Sequence, residues 1–191
     1  MDKVIRECLG ESIKVKTEIL NDLSLVNRIE KISLMIIEAY KNKKKLVLFG
    51  NGGSAGDAQH IAGELVNKFK LERGALPAIA FTTDTSILTS IANDYDYQKV
   101  FARQVEALVN EGDVVIGIST SGASLNVIKG VEVAKERGAK TIGFTGKDGG
   151  KLAKIVDLAL KVPSDDTPRI QEAHITILHI ICYLTEKELF G

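Results

Sequence analysis

Five short apolar runs punctuate the chain: KLVLFG (45–50), PAIAF (77–81), DVVIGIS (113–119), KTIGFTG (140–146) and DLALKV (157–162). Most lack the apolar–polar alternation of a strand with one wet face, so they read as parallel strands buried on both faces. Between them lie segments with helical spacing, Asp57–Phe69, Gln98–Val109 and Leu125–Arg137, the last closed by Gly138. Strand alternating with helix predicts an α/β class fold, a doubly wound three-layer sandwich around a five-stranded parallel sheet.

The flanks add helices at both ends. Val4–Tyr40 has apolar residues at mixed three- and four-residue steps, which suits one long helix or two joined near Asn21–Asp22. After the last strand, TPRIQEAHITILHIICYLTEKELF reads as a further helix with Pro168 in its first turn. A chain of 191 residues fills one core and is short for two, so 1–191 reads as a single domain. Within it a helical segment, 1–43, precedes the sandwich, 44–191.

Charge narrows the partners. Lys plus Arg and Asp plus Glu number 25 each, and the lysine cluster 41–45 reads as a solvated helix end, so no nucleic acid is expected as an obligatory partner. Cys8 and Cys182 lie far apart in apolar contexts and read as two buried small residues of a reducing compartment. No apolar stretch reaches membrane-spanning length and the N-terminal residues lack the pattern of a signal peptide, which makes the cytoplasm the expected location and a membrane an unexpected partner.

In parallel sheets of this kind ligands sit beyond the carboxyl ends of the strands. After the first run comes Asn51-Gly52-Gly53-Ser54, where glycines allow close backbone approach and Ser54 is placed to cap a helix. After the third run Ser119, Thr120, Ser121 and Ser124 put four hydroxyls just before a helix N-terminus. Amides, hydroxyls and a helix dipole together suit a phosphate; the same residues also serve simply as caps. Neither turn has nucleotide-binding glycine spacing, and TGKDGGK (145–151) reads as a turn.

His60 and Glu64 share a helical face, and the last helix offers Gln171, His174 and His179, of which Gln171 and His179 lie about two turns apart. A surface pair and a core or interface histidine are the plain readings of these residues. Should the two helices converge on the hydroxyl turn, a carboxylate and an imidazole would face a phosphorylated small molecule, the equipment for moving a proton next to a carbonyl.

The successive stretches GNGGSAGDAQHIAGEL, AIAFTTDTSILTSIANDYDYQKVFARQVEAL, GDVVIGISTSGASLNVIKG, TGKDGGKL and VPSDDTPRIQEAHITILHIIC closely resemble the phosphoheptose isomerases, a branch of the SIS (sugar isomerase) domain families, over Val4–Glu188. The resemblance implies a flavodoxin-like SIS sandwich and interconversion of sedoheptulose 7-phosphate with D-glycero-D-manno-heptose 7-phosphate, the first step toward nucleotide-activated heptoses of bacterial surface polysaccharide. It implies Glu64 as the base and His179 as the acid of a cis-enediol route. Substrate contacts fall on Asn51, Gly52, Gly53, Glu64, Asn93, Asp94, Ser119, Thr120, Ser121, Ser124 and Gln171. It also implies zinc at His60, Glu64, Gln171 and His179, no nucleotide cofactor, and a cytoplasmic homotetramer.

Where the family commonly carries an arginine after the glutamate, this chain has Asn67-Lys68-Phe69, which loses a planar bidentate fork. Arg169 matches the family and reads either as an interface residue or as a partner of Asp165 or Asp166. A sister group of the same fold, the DnaA initiator-associated adaptors, is the alternative; it lacks the equivalents of Glu64 and His179, and this chain has both. A regulatory sugar-phosphate sensor would bring a DNA-binding domain for which the chain has no room. The apolar N-terminal segment and ITILHIICYL predict packing against partner subunits, with Glu64 and His179 of one site expected from different chains.

Overall fold

The computed structural model describes residues 1–191. Two helices open the chain, α1 (Asp2–Asn21) and α2 (Leu23–Lys41). They break at Asp22, whose carboxylate accepts the amides of Ser24 and Leu25 at 2.8 and 3.3 Å and so caps α2. Next come β1 (Leu46–Gly50), α3 (Gly53–Val66), β2 (Ala78–Ala80), α4 (Thr85–Asp94), a single 3-10 turn at Tyr97–Lys99, and α5 (Val100–Leu108). The rest is β3 (Val114–Ile118), α6 (Leu125–Glu136), β4 (Lys140–Gly146), the short α7 (Leu152–Ile155), β5 (Leu158–Val162) and α8 (Thr167–Phe190).

All five expected strands form, in the order β2-β1-β3-β4-β5 with every neighbour parallel. Alternate side chains of each strand point to opposite faces. Leu46, Leu48, Val114, Ile116, Ile142 and Phe144 face a cluster of 28 buried residues closed by α1, α2, α3 and α8. Val47, Phe49 and Val115 face 14 residues closed by α5, α6 and α7. The larger face is the one the terminal helices cover, so α8 is core and not an appendage: Ile170, Ala173, Ile177, Leu178 and Ile181 are all buried. At about 25 cal/mol per Å² of apolar surface, each such isoleucine or leucine side chain contributes about 2 kcal/mol.

Several expectations need correcting. Helix α3 begins at Gly53 and ends at Val66, where the spacing predicted Asp57–Phe69. Its N-cap is Gly52, whose φ of 55° turns the chain sharply off β1; Ser54 lies inside the first turn, buried, and caps nothing. The segment 97–108 divides into the 3-10 turn and α5. Cys182 is buried, but Cys8 is exposed, because only Val15 and Ile19 of α1 reach the core. The lysine cluster is not wholly solvated: the Lys45 ammonium meets the buried Asp113 carboxylate at 2.5 Å. No helix is long and apolar enough to cross a membrane.

Candidate active site

The chain leaves β1 toward β2 on one side and returns through β3 on the other, so the crevice between the carboxyl ends of β1 and β3 is the switch point where ligands bind in such sheets. Register places Gly50 beside Ile118, so the two turns after them, at Asn51 and Ser119, stand side by side. Asn51 and Asn126 exchange both amide hydrogen bonds across this crevice, at 2.9 and 2.8 Å, and the Tyr97 hydroxyl donates to Asn51 Oδ1 at 3.2 Å. Sequence reasoning missed Asn126 and Tyr97; a lone asparagine in the first turn of α6, directly behind the hydroxyl cluster, was the available signal.

In the turn after β3, the Ser119 and Ser124 hydroxyls lie 3.0 Å apart, and the Ser121 hydroxyl accepts the Ala123 amide at 3.2 Å. Amides of Thr120 and Ser121 donate to no acceptor within the protein, and both lie in the turn that leads into α6. Unspent amide donors and hydroxyls in the turn before a helix suit an anion. The glycine turn 145–151 braces this loop. Gly122 has a φ of 64°, a side chain on it would collide with the Gly149 carbonyl, and its own carbonyl accepts the Leu152 amide at 2.9 Å.

The second part of the site is built by α3 and α8. Its donor atoms, from His60, Glu64 and His179, all lie within 4.8 Å of one another. Nε2 of His60 stands 3.1 Å from a Glu64 carboxylate oxygen and 2.9 Å from Nε2 of His179. Burial holds the His179 imidazole below its usual range, reinforced by His60 and opposed by the Glu64 charge, so the ring is neutral at neutral pH. The Phe69 ring stacks on His179, centroids 5.4 Å apart and planes 22° from parallel. Both Glu64 and His179 belong to one chain, which corrects the expectation that a partner supplies one of them.

Nitrogen, nitrogen and carboxylate oxygen converging from two helices match the donor set of a three-ligand zinc site with one position left for water or substrate. Gln171 stands apart from this cluster: its amide lies against Gly53, at the other end of the paired helices. By helix rise, His60 is roughly 10 Å and Glu64 roughly 16 Å further along α3 than Gly53. Asp57, one turn before His60, is half-buried with Oδ2 unpartnered, and burial pushes its carboxyl up to about 6 against the pull of His60. Asn93 and Asp94 end α4, exposed, bonded to each other at 2.8 Å and making no hydrogen bond to the crevice residues.

Three other residues singled out by sequence have structural partners. Lys68 pairs with Glu72 on the surface. Arg169 ties α8 to α1 through the Cys8 carbonyl and Glu11 (3.7 Å), and on its own helix meets Glu172 at 2.6 Å, with Asp166 at 4.0 Å. His174 is wholly buried, bonds the Thr145 carbonyl at 3.0 Å, and is driven down to about 4 by burial, so it serves the core as a neutral ring.

Comparison with known proteins places this arrangement. The SIS domain profile matches residues 13–146. Phosphoheptose isomerases of Clostridium acetobutylicum and Geotalea daltonii are 56% and 57% identical over 191 residues, covering all of this chain and 97% and 98% of theirs. The solved phosphoheptose isomerase GmhA of Neisseria gonorrhoeae superposes with a TM-score of 0.92 at 42% identity, over 97% of this chain and 98% of that one. Identity of that extent, over a site built from both halves of the chain, shows that this protein belongs to the phosphoheptose isomerase family of SIS-domain proteins.

Proposed function

We propose that the protein interconverts sedoheptulose 7-phosphate and D-glycero-D-manno-heptose 7-phosphate, an aldose–ketose isomerisation that supplies nucleotide-activated heptose for surface polysaccharide. The observation that carries this reading is the meeting of Glu64 and His179 from two helices, both anchored at the switch-point crevice. Ser119, Thr120, Ser121 and Ser124 hold the phosphate. Asn51, Gly52, Gly53 and Gln171 line the way from there toward the acid–base group, and Asn93 and Asp94 contact the sugar. A separation of roughly 10–16 Å along α3 suits a long open-chain sugar phosphate better than a triose.

In the ketose-to-aldose direction Glu64 takes a proton from C1. The C–H electron pair becomes the C1–C2 double bond of a cis-enediol, and the former carbonyl oxygen O2 takes a proton from His179. Return of a proton to C2 and loss of the O1 proton give the aldose, with no electron gained or lost. A neutral imidazole is an adequate acid here, as in triosephosphate isomerase, because the enediol oxygen never has to carry full charge. The remote phosphate contributes binding energy that holds C1 and C2 in place.

The cluster would hold zinc through His60, Glu64 and His179, without Gln171, whose amide lies at Gly53. When bound, zinc supplies Lewis-acid polarisation of a substrate oxygen.

Exposed Val4, Ile5, Leu9 and Ile13 on α1, and an apolar groove between α1, α2 and α8 lined by Leu20, Val26 and Ile180, support assembly into a homotetramer. A cytoplasmic location follows from such chemistry. The adaptor alternative finds no support, since the relatives carry the isomerase name and this chain keeps Glu64 and His179.

The test is turnover of sedoheptulose 7-phosphate in D2O, followed by NMR, with and without zinc or chelator. Conversion with deuterium appearing at C2 supports the enediol route; absence of turnover under every metal condition sinks it.

A further inference from the structure

Between α3 and β2 the chain runs through residues 67–77 without helix or strand, yet this segment carries Phe69, the ring that covers His179. An irregular loop does not hold a ring in place by itself. What holds this one is Glu186 on α8, two turns beyond His179 and wholly buried. Its carboxylate accepts the amides of Phe69, Lys70 and Leu71 at 2.7, 2.7 and 3.0 Å and the Arg73 Nε at 2.9 Å. Arg73 is equally inaccessible to solvent, and its other nitrogens donate to the carbonyls of Leu65 (2.7 Å) and Glu64 (3.0 Å), two of the orphan acceptors at the end of α3.

We propose that Glu186, Arg73 and Phe69 form a positioning unit that fixes the catalytic carboxylate and imidazole relative to each other. One ion pair binds three things at once: the last turn of α3 through the Glu64 backbone, the loop that carries Phe69, and the helix that carries His179. Such a pair is poor value as a stabiliser, because apolar residues of equal volume would serve the core as well or better. Its use lies in direction, since each oxygen and nitrogen is spent on a backbone group next to the site. None of the three residues reaches the reacting atoms; Phe69 limits the tilt of the His179 ring by stacking, and Arg73 limits the displacement of Glu64.

This proposal rests on the isomerase reading for its kinetic arm and is independent of it for its spectroscopic arm. The chain has only three histidines, so the His179 ring protons can be assigned by comparison with His179→Gln. In Glu186→Gln, with Phe69 still present and metal loading equal, the His179 lines are expected to lose the upfield shift imposed by the stacked ring, whether or not the protein turns over any sugar. Phe69→Leu leaves the buried pair intact and so keeps the fold should Glu186→Gln fail to fold. It is expected to lower kcat about ten-fold, in line with the rate cost of a misplaced catalytic group, with KM and melting temperature nearly unchanged. Unmoved His179 lines in a folded Glu186→Gln, or a wild-type kcat in Phe69→Leu, would overturn it. A wild type inactive on sedoheptulose 7-phosphate would instead count against the isomerase reading and leave the His179 lines to decide the positioning.

Discussion

The Nε2 atoms of His60 and His179 face each other at 2.9 Å across 119 residues of sequence. Two ring nitrogens meeting at this distance have room for one proton between them, and a Glu64 carboxylate oxygen stands 3.1 Å from the same His60 nitrogen, so lone pairs converge on one point. That convergence is what a cation or an acid–base relay uses.

Zinc should therefore bind one per chain, and His60→Ala should weaken it by at least the roughly 10- to 100-fold that loss of an outer-shell partner costs. Isothermal titration of the metal-stripped protein measures this. Equal affinity in the variant would mean that the cluster is a hydrogen-bonded pair alone.

Glu64→Gln removes the proposed base while keeping the shape of the side chain. We expect kcat to fall about 10²- to 10⁴-fold, the usual worth of a positioned general base, with the melting temperature within a few degrees of wild type because the Glu64 side chain is only half-buried. Loss of activity through unfolding would be visible by circular dichroism and would not count.

The turn after β3 predicts a different kinetic signature. Ser119→Ala deletes a hydroxyl bonded to Ser124 and, on the proposed function, offered to the phosphate, a hydrogen bond of about 1 kcal/mol, or roughly five-fold in binding. Since the phosphate is bound alike in the ground and transition states, KM should rise and kcat should hold. Inorganic phosphate as a competitor should weaken in parallel.

His174 makes stability depend on pH. The folded state holds its imidazole at about 4 and the unfolded chain returns it to the ordinary 6.5, so between those values the unfolded state binds the extra proton. Stability is fully present above about 6.5 and is lost as pH falls toward 4, by about 3 kcal/mol at most. Urea unfolding at pH 7 and pH 5 should show the loss in wild type and a flatter response in His174→Gln, which keeps an amide donor near Thr145 without titrating.

The strands, their parallel order of burial, the break at Asp22 and the chemistry of the turns at Asn51 and Ser119 were legible in the sequence, because each is set by local pattern: continuous apolar runs, a capping carboxylate, glycines and hydroxyls at strand ends. The pairing of His60 with Glu64 was legible too, being one helical turn. Tertiary structure alone decided that His179 meets that pair within one chain, that the Gln171 amide lies at Gly53, and that Asn126 locks Asn51. It also decided the role of Glu186, which is buried and satisfied by three loop amides and Arg73. Spacing along a helix fixes which residues share a face; which face meets another helix 119 residues away is fixed only when the sheet brings both into one core.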